Sequence, residues 1–293
     1  MNALLPCTIN ATKELSMVCS MRLGMPQLAL GGLSESWLLM ECGHRHWTLL
    51  ERMLGVEARG MHDDRGCRMY ASFVAVHESG ASLAHFQEAD EIVLESRIAA
   101  LTSKRALSSH FITGHGQVRI DMISAFVRKA RPSDTDTEVL HGAEWNWPGI
   151  RPLRPMAEID SSLPALDRQV RRGFDGVYMG LSLEPSGQSQ AFVCRPCPAI
   201  DFNGVGLLYF ARYIDFVDRA EWECMHTAAS AHLVTVERRI FYFANLSPGD
   251  SVKIELVGGP ASLGRMEHLS RVSRRSDGRQ MALVYTRKYS TPS

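Results

Sequence analysis

Residues 68–129 follow a single pattern that limits the folds open to the chain. Four segments, "RMYASFVAV" (68–76), "DEIVLESRIAAL" (90–101), "LSSHFIT" (107–113) and "QVRIDMISAFVRK" (117–129), alternate polar with apolar residues and favour β-branched and aromatic side chains. Turn residues such as "TGHG" separate them, so the segments read as one antiparallel meander. A meander of this kind has an apolar face to cover. The cover stands just upstream, where in "GGLSESWLLMECGHRHWTLLERML" (31–54) Trp37, Leu38, Glu41, Trp47, Leu50 and Leu54 mix apolar and polar positions with aliphatics on most helical turns.

The same order then returns. "DFNGVGLLYFARYIDFVDRAEW" (201–222) again places glycines before a helix rich in aromatics and aliphatics, and strands are expected at 233–243, 250–258, 265–273 and 279–289. The intervening stretch 128–155 is rich in Pro, Gly and charge and has no sustained period. The expectation is an α+β protein with an N-terminal domain at 1–130, a linker at 131–155 and a C-terminal domain at 156–293. Each domain is an antiparallel sheet wrapped around a central helix. A chain of 293 residues is long enough for two such cores.

Charge narrows the functions. Lys+Arg and Asp+Glu are both 32, so no basic excess asks for nucleic acid or a membrane surface. No run of apolar residues is long enough to span a bilayer and no signal-peptide pattern opens the chain, which makes a cytoplasmic protein the expectation. Seven cysteines lie at 7, 19, 42, 67, 194, 197 and 224. Cys194 and Cys197 form one CxxC, no second pair completes a zinc site, and free thiols without a metal are expected.

Three stretches of the second half, "DFNGVGLLYFARYIDF", "RIFYFANLSPGDSVKIEL" and "DGRQMALVYTRKY", resemble the helix opening, the Gly-Asp turn and the closing strand of a hot-dog thioesterase-type domain. In the first half, "MPQLALGGLSESWLLMECGHRHW" together with "CRMYASF" resembles the double hot-dog acyltransferase/decarboxylase family of polyketide biosynthesis, the leinamycin-pathway type. The resemblance implies two tandem hot-dog domains, a double hot-dog fold. It implies decarboxylation of malonyl- or methylmalonyl-CoA and transfer of the acyl group to the phosphopantetheine of an acyl carrier protein. It also implies that acyl-CoA and acyl carrier protein are the partners, that no cofactor is needed beyond the CoA thioester itself, and that Tyr70 is the catalytic residue. Hot-dog domains pair, so a pseudo-dimeric monomer or a homodimer is expected.

The chemistry can be followed on the residues. An enolate or tetrahedral oxyanion on a thioester needs preorganised donors, and backbone N–H groups at a helix N-terminus supply them. Gly31 and Gly32, with Ser34 as cap or second donor, are candidates, and so are Asn203, Gly204 and Gly206 before the second helix. The alternative is that these glycines only permit tight turns. Tyr70 is an acyl carrier, a hydrogen-bond donor to the thioester oxygen, or an inward-facing strand tyrosine. Asp201 is the carboxylate that a hydrolytic hot-dog enzyme could use to activate water; otherwise it complements the helix dipole. His44 and His46 cannot face one pocket, and each reads as a core or interface histidine. Asp215 and Asp218 read as the solvated side of their helix. No His–carboxylate pairing points to dehydratase chemistry. Arg151, Arg154, Arg171 and Arg172 either meet CoA phosphates or an acidic carrier protein, or are solvated. A thioesterase and a non-catalytic carrier-binding module remain alternatives to the transferase.

Overall fold

The computed structural model describes residues 8–10, 15–62, 66–80, 83–102, 104–129, 139–141, 159–173, 176–183, 191–225, 233–257, 261–262 and 264–290. The chain divides into two compact units, Met1–Pro164 and Ala165–Ser293.

The N-terminal unit contains β1 (Thr8–Asn10), β2 (Leu15–Arg22), the hairpin β3 (Leu28–Ala29) and β4 (Gly32–Leu33), helix α1 (Glu35–Leu54), then β5 (Met69–Ser79), β6 (Glu91–Thr102), β7 (Arg105–Thr113), β8 (Gln117–Lys129) and β9 (Val139–His141). Its antiparallel sheet runs β1-β2-β6-β7-β8-β5, and β9 pairs with β8. Helix α1 is confined by its ends. The Ser34 hydroxyl accepts the Trp37 N–H at 3.2 Å, and Gly55, in the left-handed region at φ 67°, closes the last turn by donating to the Arg52 carbonyl. Between the caps, Leu49, Leu50, Met53 and Leu54 pack with Met17, Met69, Ala71, Ile98 and Phe126 of the sheet, all buried. Alternation decides which strand residues enter this core: Met17 and Cys19 point in and Val18 points out.

Helix α2 (Leu163–Arg172) spans the division between the units. The C-terminal unit continues with the hairpin β10 (Val177–Tyr178) and β11 (Leu181–Ser182), β12 (Ala191–Cys194), the single turn α3 (Pro198–Asp201) and α4 (Arg212–Met225). It ends with β13 (Leu233–Tyr242), β14 (Val252–Val257), β15 (Ala261–Ser262), β16 (Arg265–Arg274) and β17 (Gln280–Ser290). Its sheet runs β13-β17-β16-β14-β12, with β15 on β16, again antiparallel throughout. Helix α4 lies against β12 and β14. Each unit is therefore a long antiparallel sheet wrapped on one main helix, and the chain has a double hot-dog α+β fold.

Several expectations change in detail. Gly31 and Gly32 precede α1 as part of a hairpin, and α1 starts at Glu35. Helix α4 starts only at Arg212, because residues 202–211 form a tightly bonded loop. Within the stretch read as linker, 139–141 form a strand; the rest of 131–155 lies outside the described residues. Cys19 is disulfide-bonded, against the expectation of free thiols, whereas Cys42, Cys194, Cys197 and Cys224 are free thiols. No described helix is long and apolar enough to cross a membrane.

Candidate functional site

The loop between α3 and α4 is held by two asparagines. The Asn203 side-chain oxygen accepts the N–H groups of Val205 (3.1 Å) and Leu207 (3.0 Å), and its carbonyl accepts that of Gly206 (2.9 Å). From beyond β13, the Asn245 side-chain oxygen accepts the Leu208 N–H at 2.8 Å. The amides expected to stand bare before the second helix are thus occupied from Val205 to Leu208, and Asn203 organises the loop rather than opening it. Gly206 needs its glycine for φ 75°, while a side chain at Gly204 would enter open space.

This loop brings Asp201 to the start of α4. One Asp201 carboxylate oxygen, Oδ2, accepts the Cys197 N–H at 2.6 Å, and the Asp201 carbonyl accepts the Tyr209 N–H at 2.8 Å. The other carboxylate oxygen, Oδ1, lies 4.0 Å from Nε of Arg212, the first residue of α4. Asp215, one turn on, holds the same guanidinium through Nη1 at 2.7 Å. Arg212 Nε is buried and has no hydrogen-bond partner among the described residues. Burial raises the nearby Tyr209 hydroxyl, with Arg212 opposing it, and raises the Cys194 thiol, with Arg219 opposing and Asp201 adding to the rise. Nothing in the local sequence marks Arg212. Its pairing with Asp201 exists only once the intervening loop has folded back.

The first-half candidates sit differently. Gly32 pairs with Ala29 in the hairpin at φ 110°, and a Cβ there would collide with the Leu83 carbonyl oxygen. The Ser34 hydroxyl is engaged as the cap of α1. Met69 and Ala71 enter the α1 core, so alternation sends Tyr70 out on the sheet face away from α1. There the Arg68 guanidinium lies 5.2 Å from the centre of its ring. Of the arginines, Arg171 is engaged by Asp167 and the Tyr242 carbonyl, Arg172 is exposed, and Arg151 and Arg154 fall outside the described residues.

Each unit also carries a buried polar bridge from helix to sheet. His46 of α1 meets Ser108 on β7 at 2.7 Å and Ser124 on β8 at 2.8 Å; Ser108 meets His110 at 2.9 Å, and His110 meets Ser96 at 2.9 Å. His44, expected in a core or an interface, is exposed. In the C-terminal unit Glu221 of α4 meets His268 on β16 at 2.8 Å and Lys288 on β17 at 2.5 Å. Asp218, expected on a solvated face, bonds Lys288 and the buried Arg238, both at 2.8 Å. A His–carboxylate pair therefore exists where the sequence pointed to none, but both side chains are at most 4% exposed. Among the described residues no group of three or more His, Cys, Asp or Glu side chains is placed to hold a metal ion.

No protein-family model matches the chain, and no curated protein sequence matches it. Solved structures do. A protein from Lactobacillus plantarum provisionally named an oleoyl thioesterase superposes with a TM-score of 0.65 at 11% identity, over 98% of this chain and 100% of its own. The 12:0-ACP thioesterase of Umbellularia californica gives 0.61 at 10% identity over 94% and 98%, and an acyl-ACP thioesterase from Bacteroides thetaiotaomicron gives 0.56 at 9% over 93% and 97%. At such identities the likeness is one of fold, and it extends over both units.

Proposed function

We propose that the chain is an acyl-thioester hydrolase, cleaving an acyl group from coenzyme A or an acyl carrier protein, with Asp201 as general base. The observation that carries this reading is the Asp201 carboxylate. One oxygen is anchored by the Cys197 amide, and the other faces an unsatisfied guanidinium N–H instead of being consumed by a short salt bridge. That two structures of the same fold are named acyl-ACP thioesterases supports the substrate class.

In this mechanism Asp201 takes a proton from water as the water oxygen bonds to the thioester carbonyl carbon. The tetrahedral intermediate then collapses, the C–S bond breaks with its electron pair on sulfur, and the proton passes from Asp201 to the leaving thiolate. The products are a carboxylic acid and a free thiol. The test is thiol release from a panel of acyl-CoA and acyl-carrier substrates. Asp201→Asn is expected to lower kcat by about 10²–10⁴-fold with little change in KM. A kcat equal to wild type would overturn the assignment.

The decarboxylating acyltransferase is the second reading, and the Arg68 guanidinium over the Tyr70 ring favours it: it sets a cation beside the phenol, where a malonyl carboxylate could bind. This reading expects CO2 release from malonyl- or methylmalonyl-CoA and added acyl mass on a carrier protein, both lost in Tyr70→Phe.

A further inference from the structure

We propose that Arg212 is a second catalytic group and that Arg212 Nε and Asp201 Oδ1 together hold the attacking water; the inference rests on the hydrolase reading above. Three observations meet at this point. The two atoms are 4.0 Å apart, within reach of charge attraction but beyond a hydrogen bond. The Nε–H is buried and unsatisfied among the described residues, a state that proteins rarely leave unfilled, least of all on a charged group. Asp215 fixes the guanidinium through its other arm, so Nε is aimed rather than free to swing.

The separation matches one bridging oxygen. Two hydrogen bonds of about 2.8 Å meeting at a single oxygen subtend about a right angle across this separation, close to the angles a water molecule accepts. In that position Arg212 donates to the water oxygen, and the water donates one O–H to Asp201. The two groups then act in one direction: the carboxylate withdraws the proton while the guanidinium stabilises the negative charge growing on oxygen. Sequence alone separates them, because a loop fixed by Asn203 and Asn245 lies between.

The experiment combines a high-resolution crystal structure of the full chain with kinetics. The structure is expected to show an ordered oxygen within about 3.2 Å of both Arg212 Nε and Asp201 Oδ1. Arg212→Gln is expected to lower kcat by about 10²-fold with KM within about threefold. Arg212→Lys, which keeps the charge but not the planar fork, should also lose most of kcat. The double variant Asp201→Asn/Arg212→Gln should be little worse than the slower single variant, because both act on one water. Absence of the bridging oxygen overturns the proposal, as does a kcat near wild type in a folded Arg212→Gln or Arg212→Lys protein. If the wild-type chain releases no thiol from any thioester, the hydrolase reading fails instead, and the crystallographic oxygen alone then decides whether these two groups share a ligand.

Discussion

Helix residues that reach the same place in the two sheets carry opposite chemistry. Ser108 pairs with Met122 across the β7–β8 ladder, just short of Ser124, as His268 pairs with Thr286 across β16–β17, just short of Lys288. His46 bonds the first pair of positions and Glu221 the second. The N-terminal bridge is a neutral wire of hydroxyls and imidazoles, in which each neutral ring has one N–H to give and each serine one O–H. Burial pushes His46 down to about 3 and holds His110 well below the usual histidine range, with His46 and Arg45 adding to the effect. Below the ordinary histidine value of 6.5 the unfolded chain takes up protons that these rings refuse. Stability therefore falls as pH drops from about 6.5 towards 3, on the order of 1 kcal/mol per pH unit for His46, and His110 acts in the same direction. His46→Gln, which can bond both serines without titrating, is expected to be less stable than wild type at pH 7, with the gap closing by pH 4.5 in urea unfolding. A gap independent of pH would show that His46 does not titrate between the two states.

Elements of the sheet were largely legible in the sequence, and the reason is their period. β8 occupies the 117–129 expected from alternation, and β7, β16 and β17 fall within a few residues of their expected spans. β12 is only four residues beside "CRPC", and α2 is ten residues opening "LP", both too short for periodicity to speak. The start of α4 was illegible for another reason: "DFNGVGLLYFARY" has the composition of a buried helix, but Asn203 and Asn245 bond its amides into a loop. Asn245 lies far along the chain, so no local signal could report it, and the Arg212–Asp201 facing was hidden with it. The glycines separate by the same logic. Gly32→Ala must move the backbone at Leu83 and is expected to destabilise by about 3 kcal/mol or more in denaturant unfolding. Gly204→Ala should stay within about 0.5 kcal/mol of wild type, since its side chain meets nothing. Equal losses at the two positions would contradict this account of the hairpin and the loop.

Across the whole molecule the two bridges give the units different tolerance of acid. In the C-terminal unit burial alone would push the Glu221 carboxyl up, but Lys288 above all, then His268 and Arg238, hold it below the usual carboxylate range. A depressed carboxyl contributes stability that is present above its unfolded value of 4.5 and is lost only as pH falls towards the lower folded value. Between pH 6.5 and 4.5, then, protonation works against the His46–His110 wire but leaves the Glu221–Lys288 pair intact. Hydrogen exchange, corrected for the intrinsic pH dependence of amide exchange, should show protection in β7 and β8 falling between pH 7 and 5 while β16 and β17 hold theirs. Below about pH 4 the C-terminal strands should follow, as the unfolded chain takes up a proton that the folded Glu221, held by Lys288 and Arg238, refuses. Uniform loss of protection across both sheets over the upper window would mean that the chain opens as one cooperative body, and that the exchange of neutral for charged bridging between the units has no energetic consequence.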